Sequence, residues 1–226
     1  MIYDGANETF VETQADSGQT TVDIDALKKI NPEIVGWLIV EDADISYPIV
    51  QGPNNDKYLK LAYDGTKSSS GSIFMNSNNA PDLSNFHTLI YGHHMRDKSM
   101  FGKLMNFEDP EYLKEHRYFT IYNEFGTHRY EIFSAYVTYS ASFVYNTYFE
   151  YSWDYFDFIE KCKESSIVDM GVEVTANDKI VTLSTCTSRG KRAERFVVQG
   201  KLLPPEEAVN APEAPDVTAA SDGAKQ

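Results

Sequence analysis

The stretch Thr182-Leu-Ser-Thr-Cys-Thr-Ser-Arg-Gly-Lys-Arg-Ala-Glu-Arg-Phe-Val-Val198 holds one of the chain's two cysteines, followed by Arg189, Arg192 and Arg195. Cys186 has three readings: a buried small hydrophobe, half of a disulfide with Cys162, or a nucleophile with a cationic partner. Residues 179–185 and 195–202 have strand patterns separated by a polar loop. Paired as an antiparallel hairpin, they bring Cys186, at the end of one strand, to Arg195, at the start of the next. A guanidinium there favours the thiolate and offers planar hydrogen-bond donors to an oxyanion. Thiol catalysis also needs a proton carrier, usually histidine. Of the five histidines, His87 begins a strand, and His116 and His128 sit in ordinary polar contexts. His93 and His94 follow Thr88-Leu-Ile-Tyr-Gly92, where a strand ends and Gly92 permits a sharp turn, so an imidazole emerges at a sheet rim. Spacing does not choose between these two neighbours. The competing picture is a buried cysteine and a solvated histidine loop.

The elements that must position these groups are mostly strands. A short helix starts at Asp25 and stops at Asn31-Pro32. Strands follow at 35–40 and 45–50 across the turn 41–44, and 55–62 forms a helical turn with Tyr58, Leu59 and Ala62 inward. Residues 71–75 and 88–91 read as strands, and 100–104 and 110–116 as short helices. Residues 118–122 and 129–138 form a hairpin across 123–128. The strongest helix runs from Trp153 to Glu164, with Ser152 as N-cap and Tyr155, Phe158, Ile159 and Cys162 on one face. On that stripe Cys162 reads as a core thiol.

Length and charge narrow the function. The 226 residues suffice for one domain with a real core, and the 15 tyrosines and 13 phenylalanines favour a β-rich one. The formal charge is −14, of which residues 1–24 carry −5 and residues 204–226 carry −4. Both acidic ends are poor in large apolar groups, so 1–21 and 204–226 are expected to be flexible, flanking a domain over 22–203. An acidic chain without a basic stripe is a poor nucleic-acid binder. There is no secretory signal, no apolar run of membrane-spanning length, no disulfide framework and no zinc spacing.

With these residues in view, Thr182-Leu-Ser-Thr-Cys186 followed by Arg195-Phe-Val-Val, with Leu89-Ile-Tyr-Gly-His93-His-Met upstream, resembles the signature of the sortases, particularly class B. Further segments resemble class B in the same order: Asn31-Pro-Glu-Ile-Val-Gly-Trp37, Tyr47-Pro-Ile-Val-Gln-Gly52, Gly71-Ser-Ile-Phe-Met75, Ser99-Met-Phe-Gly102 and Phe133-Ser-Ala-Tyr136. The resemblance covers about residues 23–203 and implies a mainly β fold. That fold is an eight-stranded sortase barrel with short peripheral helices, including an N-terminal helix and one near 153–164. It implies Cys186 as nucleophile, His93 as general acid/base and Arg195 as oxyanion stabiliser, with the choice of His93 over His94 resting on the family pattern. A substrate groove lined by Asn55, Leu59, Ser140, Tyr145, Ser184 and Thr185 is implied as well. Ser188 stands two places after the cysteine, where some class B enzymes carry an acidic residue.

The resemblance further implies a cysteine transpeptidase of the Gram-positive cell surface that needs no metal or organic cofactor. It cleaves a carboxy-terminal sorting signal after Thr and passes the thioacyl group to an amine of the peptidoglycan cross-bridge. In the alternative class B role, pilin polymerisation, the acceptor is a pilin lysine. The resemblance leads one to expect attachment to the membrane's outer face only through an anchor, which is not recognisable in these 226 residues. Two remoter readings remain. Cys186 to Arg192 matches the Cys-x5-Arg spacing of Cys-based phosphatases, whose loop leads into a helix. A non-catalytic surface-binding module would use exposed tyrosines such as Tyr145, Tyr148 and Tyr151.

Overall fold

The computed structural model describes residues 10–13, 20–187 and 193–205. Their strands are β1 (Val11–Thr13), β2 (Thr20–Val22), β3 (Ile34–Val40), β4 (Ile45–Val50), β5 (Ile73–Met75), β6 (His87–Tyr91), β7 (Tyr118–Asn123), β8 (Gly126–Tyr139), β9 (Ile180–Cys186) and β10 (Glu194–Leu202). Eight of these close a barrel in the order β10-β8-β7-β3-β4-β5-β6-β9, while β1 and β2 form a separate ribbon. The helices are α1 (Ile24–Ile30), α2 (Pro110–Glu115) and α3 (Ser152–Ser165), joined by 3-10 turns at Lys57–Leu59, Gly102–Glu108 and Phe143–Tyr145. The mainly β, eight-stranded barrel with short helices is therefore the fold. Among the described residues, no helix is long and apolar enough to cross a membrane.

Strand alternation sets the two faces of the barrel wall. Val181 and Leu183 of β9 and Phe196 and Val198 of β10 join Leu38, Ile73, Ile90 and Phe119 in the interior. The alternate residues Thr182, Ser184 and Cys186 face outward. Most of that outer face is covered, because α3 lays Tyr155, Phe158, Ile159 and Cys162 over Phe133 and Ile180. Each large apolar side chain so buried contributes about 1.5–3 kcal/mol. Only the end of β9 escapes the cover: residues 180–185 are buried and Cys186 is exposed. Helix α1 packs Leu27 with Trp37, Val50 and Tyr58 on another part of the outer wall. Asp23 caps it by accepting from the Ala26 N–H at 2.8 Å, and the Asn31 N–H closes it on the Leu27 carbonyl at 3.1 Å.

Several local expectations shift. Helix α3 begins one residue early, with Tyr151 at the N-cap, and its Asp154 carboxylate accepts from the Tyr151 N–H at 3.3 Å. The hairpin of β7 and β8 is tight, with Asn123 opposite Gly126, so strand pairing consumes most of the expected loop. Met100 is not helical but lies at φ 52°, and the 3-10 turn starts at Gly102. Ordered structure also reaches into the 1–21 segment expected to be flexible. Val11–Thr13 pairs with β2, and Phe10 and Val11 pack against the Trp37 cluster. Two apolar residues amid polar ones are too weak a pattern to signal a strand. Residues 1–9 and 14–19 of that segment lie outside the described residues, as does the tail from 206 to 226.

Candidate active site

β9 and β10 form the antiparallel hairpin expected from the sequence, and its register sets Cys186 directly opposite Arg195. Residues directly opposite in such a pair have Cβ atoms about 5 Å apart on the same face. Arg195 is half-buried and donates from Nη1 to the Glu194 carbonyl at 3.0 Å. On the far side of β10, Thr138 of β8 is opposite Arg195. Cys162 and Cys186 are both free thiols, one buried and one exposed, so no disulfide joins them.

The other neighbour of β9 is β6, and this pairing is parallel, with Tyr91 opposite Ser184. The Gly92 N–H continues it, donating to the Ser184 carbonyl at 3.1 Å. Carried on by two residues, the register brings His93 beside Cys186, on strands about 4.8 Å apart. Cys186 thus ends its strand opposite Arg195, and His93 follows the last pair of β6 by the same two residues by which Cys186 follows Ser184. Gly92 is required here by space. A Cβ would sit 2.4 Å from Ile73 Cδ1 and 2.7 Å from the Phe101 ring, so the absence of a side chain matters where the sequence suggested a turn. The Gly92 carbonyl accepts from the Thr185 hydroxyl at 2.9 Å, and the His93 carbonyl accepts from the Phe101 N–H at 3.0 Å.

The His93 ring is oriented by the Leu59 carbonyl, 2.9 Å from Nε2. A carbonyl only accepts, so Nε2 carries the proton and Nδ1 of the neutral ring keeps its lone pair. Leu59 ends the 3-10 turn Lys57–Leu59. His94 instead forms an isolated backbone bridge with Met100.

Tyr145 supplies a wall. Its hydroxyl lies 2.9 Å from Ser184 Oγ, and its ring stacks on Tyr91 with centroids 6.3 Å apart. Burial pushes the Tyr145 hydroxyl up to about 12, the Ser184 hydrogen bond and Arg195 only partly offsetting it, so the group is neutral. Of the other residues expected in a groove, Thr185 and Ser184 are buried with their hydroxyls engaged as described. Asn55 braces a neighbouring loop by accepting from the Ser77 N–H at 2.8 Å. Ser140 directly follows β8, its N–H on the Ala193 carbonyl at 2.8 Å, and β10 runs between β8 and the strand that carries Cys186. Tyr91, held by Asn76 Nδ2 at 2.9 Å, and Glu194, buried and accepting from Thr187 Oγ1 at 2.8 Å, are parts of the site that sequence reading missed. Alternation along His87–Tyr91 was the available signal for Tyr91, since it sets this residue on the opposite face from the core residue Ile90. Ser188, Arg189, Lys191 and Arg192 lie outside the described residues. The segment after them is strand β10, not the helix that a phosphate-cradling loop leads into.

An exposed thiol between an imidazole with a free lone pair and a guanidinium suits acyl transfer. The thiol attacks, the ring moves the proton, and the cation receives developing negative charge. A family description, Sortase domain, matches residues 38–203. Sortase B of Listeria monocytogenes is 35% identical over 206 residues, covering 89% of this chain and 84% of that protein. Among solved structures, a Staphylococcus aureus sortase B–substrate complex matches with a TM-score of 0.76 at 32% identity, covering 89% of each chain. A sortase B complexed with triglycine matches with a TM-score of 0.75 at 33% identity, covering 80% of this chain and 85% of that one.

Proposed function

Because the chain belongs to the sortases, and among them to class B, we propose that it cleaves a carboxy-terminal sorting signal after Thr and transfers the product to an amine of the cell wall. As a sortase it is a cysteine transpeptidase of a family associated with Gram-positive bacteria and their cell envelope. The finer reading gives Cys186 the role of nucleophile, His93 that of general acid and base, and Arg195 that of oxyanion stabiliser. One observation supports it: Cys186 is paired directly with Arg195, and Tyr91 and Ser184, each two residues before His93 and Cys186, are paired on the other side.

Cys186 gives its thiol proton to His93 Nδ1, the resulting thiolate adds to the Thr carbonyl carbon, and Arg195 donates to the oxygen as it gains charge. The scissile C–N bond breaks, and the departing amine takes a proton from His93 Nδ1, leaving a thioester. An incoming amine adds to the thioester carbon and gives a proton to His93, and the C–S bond breaks to restore the thiolate. Donors held in place by strand pairing need no rearrangement as charge develops, which is where such sites gain most. Tyr145, Ser184 and Leu59 border the approach, with Thr185 beside them, while Asn55 and Ser140 belong to more distant walls of the groove. Complexes of related sortase B proteins with a substrate and with triglycine support a peptide donor and a peptide amine as acceptor. The reaction is assigned to the outer face of the cell membrane.

Mass spectrometry of the protein with sorting-signal peptides containing Thr–Gly or Thr–Asn bonds, with and without an amine acceptor, tests this. A thioacyl adduct on Cys186, absent from Cys186→Ala and converted to product by a peptidoglycan-type amine, is expected. Release only to a lysine side chain points instead to pilin polymerisation. No adduct with any peptide of a broad library overturns the transpeptidase assignment to Cys186.

A further inference from the structure

His93 does not reach the proposed reaction unaided, because its ring is aimed by a backbone carbonyl, and that carbonyl lies in a turn of only three residues. The turn Lys57–Leu59 is too short to hold itself, since a single 3-10 turn closes few hydrogen bonds. Asn54 Oδ1 accepts from the Asp56 and Lys57 N–H groups at 3.0 Å, and a second hold comes from the segment between α1 and β3. Glu33 Oε2 accepts from the Tyr58 hydroxyl at 2.5 Å and from Lys57 Nζ at 2.5 Å. Asn31 completes the grip: its Nδ2 donates to the Tyr58 oxygen at 2.8 Å and to the Tyr63 carbonyl at 2.6 Å, and its Oδ1 accepts from the Glu33 N–H at 3.0 Å. The Tyr58 side chain is itself buried. On the backbone side, the Ser72 N–H donates to the Tyr58 carbonyl at 3.0 Å. Gly71, at φ +58°, lies so close that a Cβ would be 2.6 Å from the Tyr58 oxygen and 2.8 Å from the Leu59 oxygen.

We propose that Glu33 is a positioning residue for His93, acting through Tyr58 and Lys57 to hold the Leu59 carbonyl on His93 Nε2, so that Nδ1 is the nitrogen free to exchange protons with Cys186 and its substrate. The inference rests on the reading of His93 as acid and base. Two of the three residues in the turn are tied by side chain to one carboxylate, and the third touches the imidazole. A fixed acceptor on Nε2 does two things. It selects one tautomer of the neutral ring, and it stabilises the imidazolium once Nδ1 takes a proton. Without the clamp, the carbonyl drifts, the tautomers mix, and the fraction of molecules with a basic Nδ1 falls. Burial raises the Glu33 carboxyl, but the hydrogen bonds from Lys57 and Tyr58 and the Lys57 charge outweigh it and hold the group below its ordinary value, so it is ionised at neutral pH. The segment Asn31-Pro-Glu33 therefore has work beyond ending α1.

The test compares full-length wild type, Glu33→Ala, Glu33→Gln, Tyr58→Phe and His93→Ala by nitrogen-15 NMR of labelled histidine, by kcat and KM for transpeptidation, and by thermal unfolding. Wild-type His93 is expected as the Nε2–H tautomer. In folded Glu33→Ala the tautomers mix and kcat falls about tenfold with KM changed less than about twofold, the size of loss typical when an orienting partner is removed. Glu33→Gln keeps an oxygen acceptor and recovers most of kcat. Tyr58→Phe removes one hydroxyl, repeats the direction of the effect, and serves if Glu33→Ala fails to fold. A wild-type Nδ1–H tautomer overturns the proposal. So do folded Glu33→Ala and Tyr58→Phe variants with unchanged tautomer and kcat. If His93→Ala still turns over, the acid/base reading falls and the positioning role falls with it. If His93→Ala is inactive while Glu33→Ala behaves as wild type, the positioning role alone falls.

Discussion

Two regions of the molecule each hold one histidine and one cysteine, one at the ends of β6 and β9 and one where α3 covers the start of β6, and they have opposite characters. At the rim are His93 and Cys186, the thiol exposed and the ring with one nitrogen free. At the opposite end of the same strands are His87, which opens β6, and Cys162 of the overlying α3, both fully buried. There both ring nitrogens of His87 are occupied: Nδ1 lies 2.7 Å from the Asn146 carbonyl and Nε2 2.7 Å from Thr182 Oγ1. Burial pushes the His87 pKa down to about 4, the Asn146 hydrogen bond only partly resisting it. Burial pushes the Cys162 thiol up to about 12, against hydrogen bonds from Gln199 and Tyr136. The inner pair is thus a neutral ring and a protonated thiol at neutral pH, locked into packing. Residue types do not make an acyl-transfer site; an open face and an unspent lone pair do.

Swapping the cysteines to alanine sharpens the contrast most. Cys186→Ala should lower transpeptidation on the order of a thousandfold or more, as removal of an attacking nucleophile does. Cys162→Ala should leave kcat/KM within about twofold, a distant packing change having little leverage on the rim. A peptide-cleavage assay on both variants decides it, and an inactive but folded Cys162→Ala would break the comparison. Next in size, Arg195→Lys keeps the charge but loses the planar donor pair, and kcat should drop about a hundredfold. The pH dependence of stability then reports the inner pair. Unfolded His87 takes its proton near its ordinary value while the folded form resists until about 4. Stability from this group is full above that ordinary value, erodes as pH falls through the window, and is lost below about 4. The total is about 3 kcal/mol. Chemical denaturation across pH 4–7 should trace this slope, and His87→Gln should flatten it. The smallest effect is the stability cost of Cys162→Ala. Loss of the sulfur contacts, and of a partner for the Tyr136 hydroxyl 3.7 Å away, should cost about 1–2 kcal/mol in the same denaturation experiment.

What the sequence made legible follows the range of the forces involved. The hairpin joining Cys186 to Arg195 was readable, because the two strands are near neighbours in the chain and alternation fixes which residues share a face. Cys162 on the buried stripe of α3 was readable for the same reason, from a period of three to four. His87 was not distinguished. Its burial depends on the Asn146 carbonyl and on Thr182, which the chain brings in from far away. The hold of Leu59 on His93 is a backbone contact across 34 positions, and no side-chain pattern announces a carbonyl. The family resemblance named Leu59 as a groove residue, but its hydrogen bond to the imidazole emerges only with the fold. Gly92 was noticed for the wrong property, since its neighbours Ile73 and Phe101 come from other elements and only their convergence makes a side chain there impossible.

The parallel pairing of β6 with β9 has a consequence in time. Gly92 and Thr185, bonded across it, are 93 positions apart, and contacts of such separation are entropically costly and tend to form slowly. The hairpin carrying Cys186 and Arg195 is local and has no such delay. A folding chain therefore holds a thiol and its cation well before a base is delivered to them, and barrel closure is the event that arms the centre. Until then the proposed centre is incomplete, which ties its reactivity to the completeness of its own fold.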